Sequence, residues 1–137
     1  MVSAALSLGQ TQNQAPQAGQ SFEDTVKEAK TRIKEIDPAQ LKAMQSSARP
    51  VILIDVREDN EWAAEHAKDA VHIGRGVLER EIASRVPRKD ATIVLYCRSG
   101  SRSALATDTL VKMGYTGAVS LAGGITAYKA AGMPVEK

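Results

Sequence analysis

The residues best suited to chemistry lie around the only cysteine of the chain. Thr92-Ile93-Val94-Leu95-Tyr96 has the apolar, β-branched character of a buried strand. Cys97-Arg98-Ser99-Gly100-Ser101-Arg102 follows it as a loop, and Ser103-Ala104-Leu105-Ala106-Thr107 opens a helical pattern. A thiol between a strand end and a helix start faces backbone N–H groups that have no partner inside the helix. Two guanidinium groups stand beside it. Both features favour thiolate over thiol and hold an anion next to it, which marks a reactive sulfur site.

A free cysteine titrates near pH ~8.5 and is mostly protonated at neutral pH, so a nucleophilic sulfur needs such help. No conventional base lies near Cys97 in sequence, and the N–H cradle makes one unnecessary. Arg98 is placed to bind the oxyanion part of a substrate. Arg102 is expected to hold the loop by hydrogen bonds and to offset its charge. Ser99 and Ser101 offer hydroxyl donors, and Gly100 permits a backbone angle that other residues resist. Loop length separates candidate reactions. Four residues lie between Cys97 and Arg102. Cysteine-dependent phosphatases carry one more, which widens the cradle to fit a phosphoryl group. The smaller ring suits a single sulfur atom, so a phosphatase or arsenate reductase is disfavoured. The loop also lacks the Gly-Lys-Ser/Thr ending of a nucleotide-binding loop.

Other residues have bland readings beside sharp ones. Asp55, at a strand end, is placed to orient loop groups or pair with an arginine, or else to cap the next turn. Arg75, in Ile73-Gly74-Arg75-Gly76, follows a strand and could bring a second cation to the mouth near Cys97. Arg57 and Glu58 read as a surface ion pair. His66 and His72 read as turn hydrogen-bonders rather than catalysts. Trp62 and Tyr128 read as core anchors. Gly123-Gly124 reads as a tight turn rather than a ligand loop.

The elements that must position these groups alternate. Residues 1–20 carry no charge and five glutamines without any period, and are expected to be a disordered polar tail. Residues 21–137 are expected to form one domain, with an N-terminal helix over about 21–32, capped by Ser21, and a core over about 33–135. Ile33–Ile36 is a short strand candidate. Asp37-Pro38 opens a helix through Leu41 and Met44. Val51–Val56 is a continuous apolar run, as in a central strand. Asn60–His66 is a short helix, Ala70–Ile73 a strand, and Gly76–Val86 a helix with Val77, Leu78, Ile82 and Val86 on one face. A helix from about Ser101 to Met113 stops at Gly114. Val119–Leu121 is the last strand, and Gly123-Gly124 leads a final helix through Tyr128. The pattern predicts an α/β fold: a mostly parallel central sheet of about five strands with helices on both faces. Ligands of such sheets sit beyond the carboxyl ends of the strands, where Cys97 is placed.

Composition narrows the function further. The chain has 137 residues, 43% hydrophobic and 25% charged, with a net charge of +2. Charges of both signs are interspersed, so neither nucleic acid nor a membrane surface is indicated as a partner. No run approaches the ~18–20 apolar residues of a membrane span. Met1–Leu8 is mildly apolar but lacks a basic stretch before it, so a periplasmic or secreted location is not expected. A single cysteine excludes an internal disulfide and CxxC motifs, leaves a zinc site with little support, and fits a reducing, cytoplasmic compartment.

Five pieces in order resemble the rhodanese-like domain family. They are Ile54-Asp55-Val56-Arg57-Glu58 followed by Glu61-Trp62; the turn from His66 to Ala70; the loop Tyr96 to Ser103; Leu110 to Gly114; and Leu121-Ala122-Gly123-Gly124 with an aromatic four residues later. The resemblance covers about residues 33–135. Ala67 and Asp69 replace the family's usual Ile and Gly in the turn, where Asp still tolerates a left-handed backbone. Tyr128 stands where the family often has Trp. The resemblance implies a single-domain sulfurtransferase with no metal and no organic cofactor, and a ping-pong cycle. Cys97 would take sulfur from a small anionic donor such as thiosulfate, carry it as a persulfide, and release it to cyanide or a thiol. Two other readings stay open. One is a sulfur-carrier module loaded by a protein such as a cysteine desulfurase and emptied by a sulfur-accepting protein. The other is a redox-sensing or silent domain.

Overall fold

The computed structural model describes residues 19–137; the expected polar tail falls, over 1–18, outside the described residues. Helix α1 spans Phe22–Lys30, and its cap is Ser21, whose Oγ accepts the Asp24 N–H at 3.0 Å. After strand β1, Glu35–Ile36, helix α2 covers Pro38–Gln45. Asp37 and Gln40 close a reciprocal capping box there, at 2.8 and 2.9 Å, with Pro38 in the first turn where its missing N–H costs nothing. The chain continues through β2 (Ile52–Asp55), α3 (Asp59–Ala64), β3 (His66–Ala67), β4 (Val71–His72), a 3-10 turn (Arg75–Val77) and α4 (Leu78–Arg85). It ends with β5 (Ile93–Tyr96), α5 (Ser101–Lys112), β6 (Ala118–Leu121), α6 (Gly124–Ala130) and β7 (Val135–Glu136).

Five strands form a parallel sheet in the order β1-β6-β5-β2-β4. The fold is therefore the expected α/β sheet. Alternation along the strands sorts side chains to two cores. Ile54, Val56, Ile93, Leu95 and Cys97 pack with Leu78 and Ile82 of α4 and Ala106 and Leu110 of α5. Leu53, Val94, Tyr96 and Leu121 pack on the other face with Leu41 of α2 and Ile125 and Tyr128 of α6. Helix α1 lies outside α5, buries Val26 and Ala29, and is tied to it by Arg32, whose guanidinium grips Asp108 at 2.9 and 2.7 Å. From β2 the chain steps out to β4 and then returns to β5 on the opposite side. The crevice at that reversal, beyond Asp55 and Tyr96, is where such sheets place ligands.

Several expected elements differ in extent. The strand expected from Ile33 shrinks to Glu35–Ile36. The helix expected to reach His66 stops at Ala64, because His66 and Ala67 pair antiparallel with Glu136 and Val135 in a two-stranded ribbon. The helical stretch from Gly76 begins as the 3-10 turn. Trp62 is not a core anchor. It is half-buried at the surface and stacks with His66 at 3.5 Å and with His72 at 5.0 Å. Tyr128 is buried, and its hydroxyl donates to the Pro134 carbonyl at 2.7 Å.

Asp69 carries φ 65, alone among the described non-glycine residues in the left-handed region. Left-handed backbone costs most residues ~1–2 kcal/mol, less for Asp and least for Gly. Asp69→Ala should lower the unfolding free energy by about 1 kcal/mol, whereas Asp69→Gly should match or exceed the parent. Urea denaturation of the three proteins measures the difference.

Candidate active site

Cys97 continues the alternation of Ile93 and Leu95, so its thiol points to the α5 side of the sheet and ends only 1% exposed. Such burial works against a thiolate. The loop answers it with donors. The Gly100 N–H lies 3.1 Å from Sγ, and the Ser103 hydroxyl oxygen lies 3.6 Å away. Burial is the largest single influence on the thiol and pushes its pKa up. Hydrogen bonding from the Ser103 hydroxyl and from the backbone N–H groups of Ser103, Gly100 and Ser99 together outweighs it, and the thiol titrates below its ordinary value.

Two glycines make this concave loop possible. Gly100 adopts φ 109, which turns its N–H toward the sulfur as the chain enters α5. Gly124 sits against the loop so closely that a Cβ there would lie 2.5 Å from the backbone of Cys97 and Arg98. That approach lets the first turn of α6 satisfy the loop carbonyls. The Ile125 N–H donates to the Cys97 carbonyl at 2.9 Å, and the Thr126 N–H to the Arg98 carbonyl at 3.2 Å.

Arg102 ties the end of the loop to α3 by hydrogen bonds to a carboxylate. Its guanidinium does not bond the loop carbonyls but reaches across to α3 and grips Glu61 at 2.7 and 3.0 Å. The Arg102 guanidinium holds the Glu61 carboxyl down, from 4.5 to about 2. Arg102 in turn lends positive potential to Cys97. Arg98 is exposed and lines a cavity of about 510 Å³ beside the loop, together with Arg57, Asn60, Glu61, Thr126 and Lys129. The Ser99 backbone N–H helps to hold the thiol's titration down, and the Ser99 and Ser101 hydroxyls make no hydrogen bond among the described residues.

Asp55 is fully buried and clasps Arg57, accepting from its Nε and Nη2 at 3.0 and 2.8 Å and from its backbone N–H at 2.8 Å. Arg57 also donates to the Glu65 carbonyl at 2.7 Å, which fixes the crossing from β2 to β3. The Arg57–Glu58 surface pair is thus replaced by a buried Asp55–Arg57 pair. Arg75 is not brought to Cys97. It pairs with Glu79 at 3.0 Å and with Thr109, two turns into α5, at 3.1 Å. His66 and His72 hydrogen-bond the carbonyls of Trp62 and Arg57, each at 2.9 Å.

Three residues escape a reading of the sequence in terms of chemistry: Ser103, Ser120 and Glu61. Ser103 stands one residue past the loop, and its hydroxyl also meets Ser120 of β6 at 2.9 Å. Strand alternation with Ala118 would have sent Ser120 to the α5 side, but a serine there carries no apolar signal. Among the described residues no group of three or more His, Cys, Asp or Glu side chains is arranged to hold a metal ion. No described helix is long and apolar enough to cross a membrane.

With this geometry, comparison with known proteins is direct. Residues 37–131 match the family model described as the rhodanese-like domain, and the chain belongs to that family. A protein from Allochromatium vinosum named sulfurtransferase is 34% identical over 103 residues, covering 75% of this chain and 94% of that protein. Thiosulfate sulfurtransferase PspE of Escherichia coli is 39% identical over 72 residues, covering 53% of this chain and 68% of that one. A solved structure from Rhodopseudomonas palustris, described as a protein of unknown function and possible tyrosine phosphatase, superposes with a TM-score of 0.76 at 29% identity, covering 88% of this chain and 98% of that one. The chain spans 48% and 24% of the lengths of two further relatives.

The Glu61–Arg102 contact yields a pH prediction. A carboxyl held down in the folded state stabilises the protein above its unfolded pKa, and that contribution fades as pH falls through the folded value. Glu61→Gln should lower the melting temperature by about 3 °C at pH 7. The gap between parent and variant should close as pH falls from 4.5 to about 2. Thermal melts across that range measure it.

Proposed function

We propose that the protein is a sulfurtransferase that moves a sulfane sulfur from a small anionic donor of the thiosulfate type to a nucleophilic acceptor, cyanide or a thiol, through a persulfide on Cys97. The observation that carries this reading is the buried Cys97 sulfur ringed by the Gly100 N–H and the Ser103 hydroxyl. Relatives named sulfurtransferase and thiosulfate sulfurtransferase support it. In the first half-reaction the thiolate attacks the outer sulfur of the donor. A new S–S bond forms at Cys97, the donor S–S bond breaks, and sulfite leaves with the bonding pair. The persulfide keeps one negative charge, which the same N–H donors hold. In the second half-reaction the acceptor attacks the outer sulfur and the Cys97 thiolate returns. Charge balances in both steps, and no cofactor or metal takes part. Arg98, exposed beside the cavity, is the cation we assign to the donor's oxyanion end. The lone free thiol supports a reducing, cytoplasmic setting.

Phosphoryl transfer, suggested by the description of the Rhodopseudomonas structure, fits less well. The loop is one residue short of that chemistry, and the Arg102 guanidinium already faces Glu61 at 2.7 and 3.0 Å. Loading by a cysteine desulfurase uses the same persulfide and differs only in the donor.

Intact mass after thiosulfate treatment tests the proposal. The parent should gain one sulfur atom and lose it to cyanide, and Cys97→Ser should gain none. Arg98→Ala should raise KM for thiosulfate about tenfold, the effect of losing one charge-assisted contact. A parent that gains no sulfur from thiosulfate, while Cys97 still alkylates, rules out this donor.

A further inference from the structure

Two serines lie behind the sulfur, both fully buried, on different elements: Ser103 in the first turn of α5 and Ser120 on β6. Their hydroxyls meet at 2.9 Å. Ser103 Oγ also lies 3.2 Å from the Gly100 carbonyl and 3.6 Å from Cys97 Sγ. A hydroxyl has one proton to give and two lone pairs to receive. Ser120 Oγ has one hydrogen-bonding partner among the described residues, and that partner is Ser103. If Ser103 donated to Ser120, the Ser120 proton would be left buried with no acceptor, the costly outcome for a polar group out of water. The proton order is therefore Ser120 to Ser103.

That order leaves the Ser103 proton with two acceptors, the Gly100 carbonyl and the sulfur. When Cys97 is a thiol, its S–H donates to Ser103 Oγ, and Ser103 donates to the Gly100 carbonyl. When Cys97 is ionised, the Ser103 proton turns to the sulfur. The Gly100 carbonyl is not stranded, because the Ala104 N–H already donates to it at 3.1 Å. Only one O–H bond rotates, and no heavy atom moves.

We infer that Ser120 is a positioning residue for the Cys97 sulfur: by donating to Ser103 Oγ it holds the Ser103 proton ready for an anionic sulfur, thiolate or persulfide. The inference rests on Cys97 as the reactive sulfur and not on the identity of the donor. Three of the charged groups nearby are paired elsewhere. Arg102 of α5 is held by Glu61 of α3, Arg57 by Asp55 at the end of β2, and Lys129 of α6 by Glu65. Arg98 lines the cavity, and Lys27 and Lys30 of α1 lie near Ser101. None of them hydrogen-bonds either serine, so Ser120 acts on the sulfur through Ser103.

The test is the pH dependence of iodoacetamide alkylation, read by intact mass; the chain has 1 cysteine, so every adduct reports Cys97. Ser120→Ala should slow alkylation at pH 6 about threefold and leave the rate at high pH unchanged, because polarisation through a second hydroxyl adds a fraction of one hydrogen bond. Ser103→Ala should slow it more. In the Ser103→Ala background, Ser120→Ala should have no further effect. The pair Ser120→Thr and Ser120→Val fills the same volume with and without the hydroxyl, so Thr should keep the parental profile and Val should lose it. Equal slowing by Ser120→Ala in both backgrounds, or indistinguishable Thr and Val profiles, overturns the inference. The readout uses no sulfur donor, so failure of thiosulfate to load the parent leaves it interpretable.

Discussion

A sulfur as deeply buried as that of Cys97 has almost no water around it to hold a negative charge. Cys97 is 1% exposed, and burial alone would hold it as a neutral, inert thiol. Charge in that position is tolerable only if fixed dipoles replace the lost water, and backbone N–H groups are the dipoles a loop can turn inward without adding bulk. The rest of the site follows from that requirement. The N–H groups converge only if the loop curls, and curling takes Gly100 to φ 109. A curled loop turns its carbonyls outward, where they need partners of their own. The first turn of α6 supplies them to Cys97 and Arg98, at a separation that only Gly124 allows.

The loop is thereby held from three directions that are far apart in the chain. Helix α6 holds its carbonyls, α3 holds Arg102 through Glu61, and β6 reaches the sulfur through Ser120 and Ser103. Each contact uses a different element of the sheet sandwich, so the position of Sγ is fixed by the whole domain. Helix α1 extends the scheme. It braces α5 from outside through Val26, Ala29 and the Arg32–Asp108 pair, and α5 is the helix whose first turn faces the sulfur.

The sequence revealed the parts of this arrangement whose signals are local. The apolar runs at Val51 and Thr92 marked the two central strands, and the residues around Cys97 marked the loop between a strand and a helix. The Asp37 cap with Pro38 behind it and the left-handed tolerance of Asp69 were readable from the residue types. What escaped was non-local or lacked an apolar signature. Strand β7 has two residues, and only its pairing with His66 and Ala67 defines it. Trp62 reads as a core residue by type, but it lies half-buried with two histidine rings stacked against it. Glu61 and Arg102 are 41 positions apart, and nothing in either segment names the other as partner. Arg75 follows the right strand end for the site, but Glu79 of α4 and Thr109 of α5 hold it elsewhere.

The pairing of charges around the loop bears on how an anionic substrate would be chosen. Arg57, Arg102 and Lys129 are each matched by a carboxylate: Asp55, Glu61 and Glu65. Arg98 has no such match among the described residues and lies exposed at the cavity beside the loop. A site with a mostly neutralised rim and a net chain charge of +2 does not draw anions from a distance, because screening over ~8–10 Å removes what little field remains. Discrimination then falls to close contact. For the proposed reaction, a donor would have to be small enough to bring its outer sulfur to Cys97 with its charged end at Arg98. A bulky anion filling the cavity meets the Glu61 and Glu65 carboxylates on its wall, which disfavours it. The carboxylates that pair with Arg102 and Lys129 would therefore also limit which anions come near the sulfur.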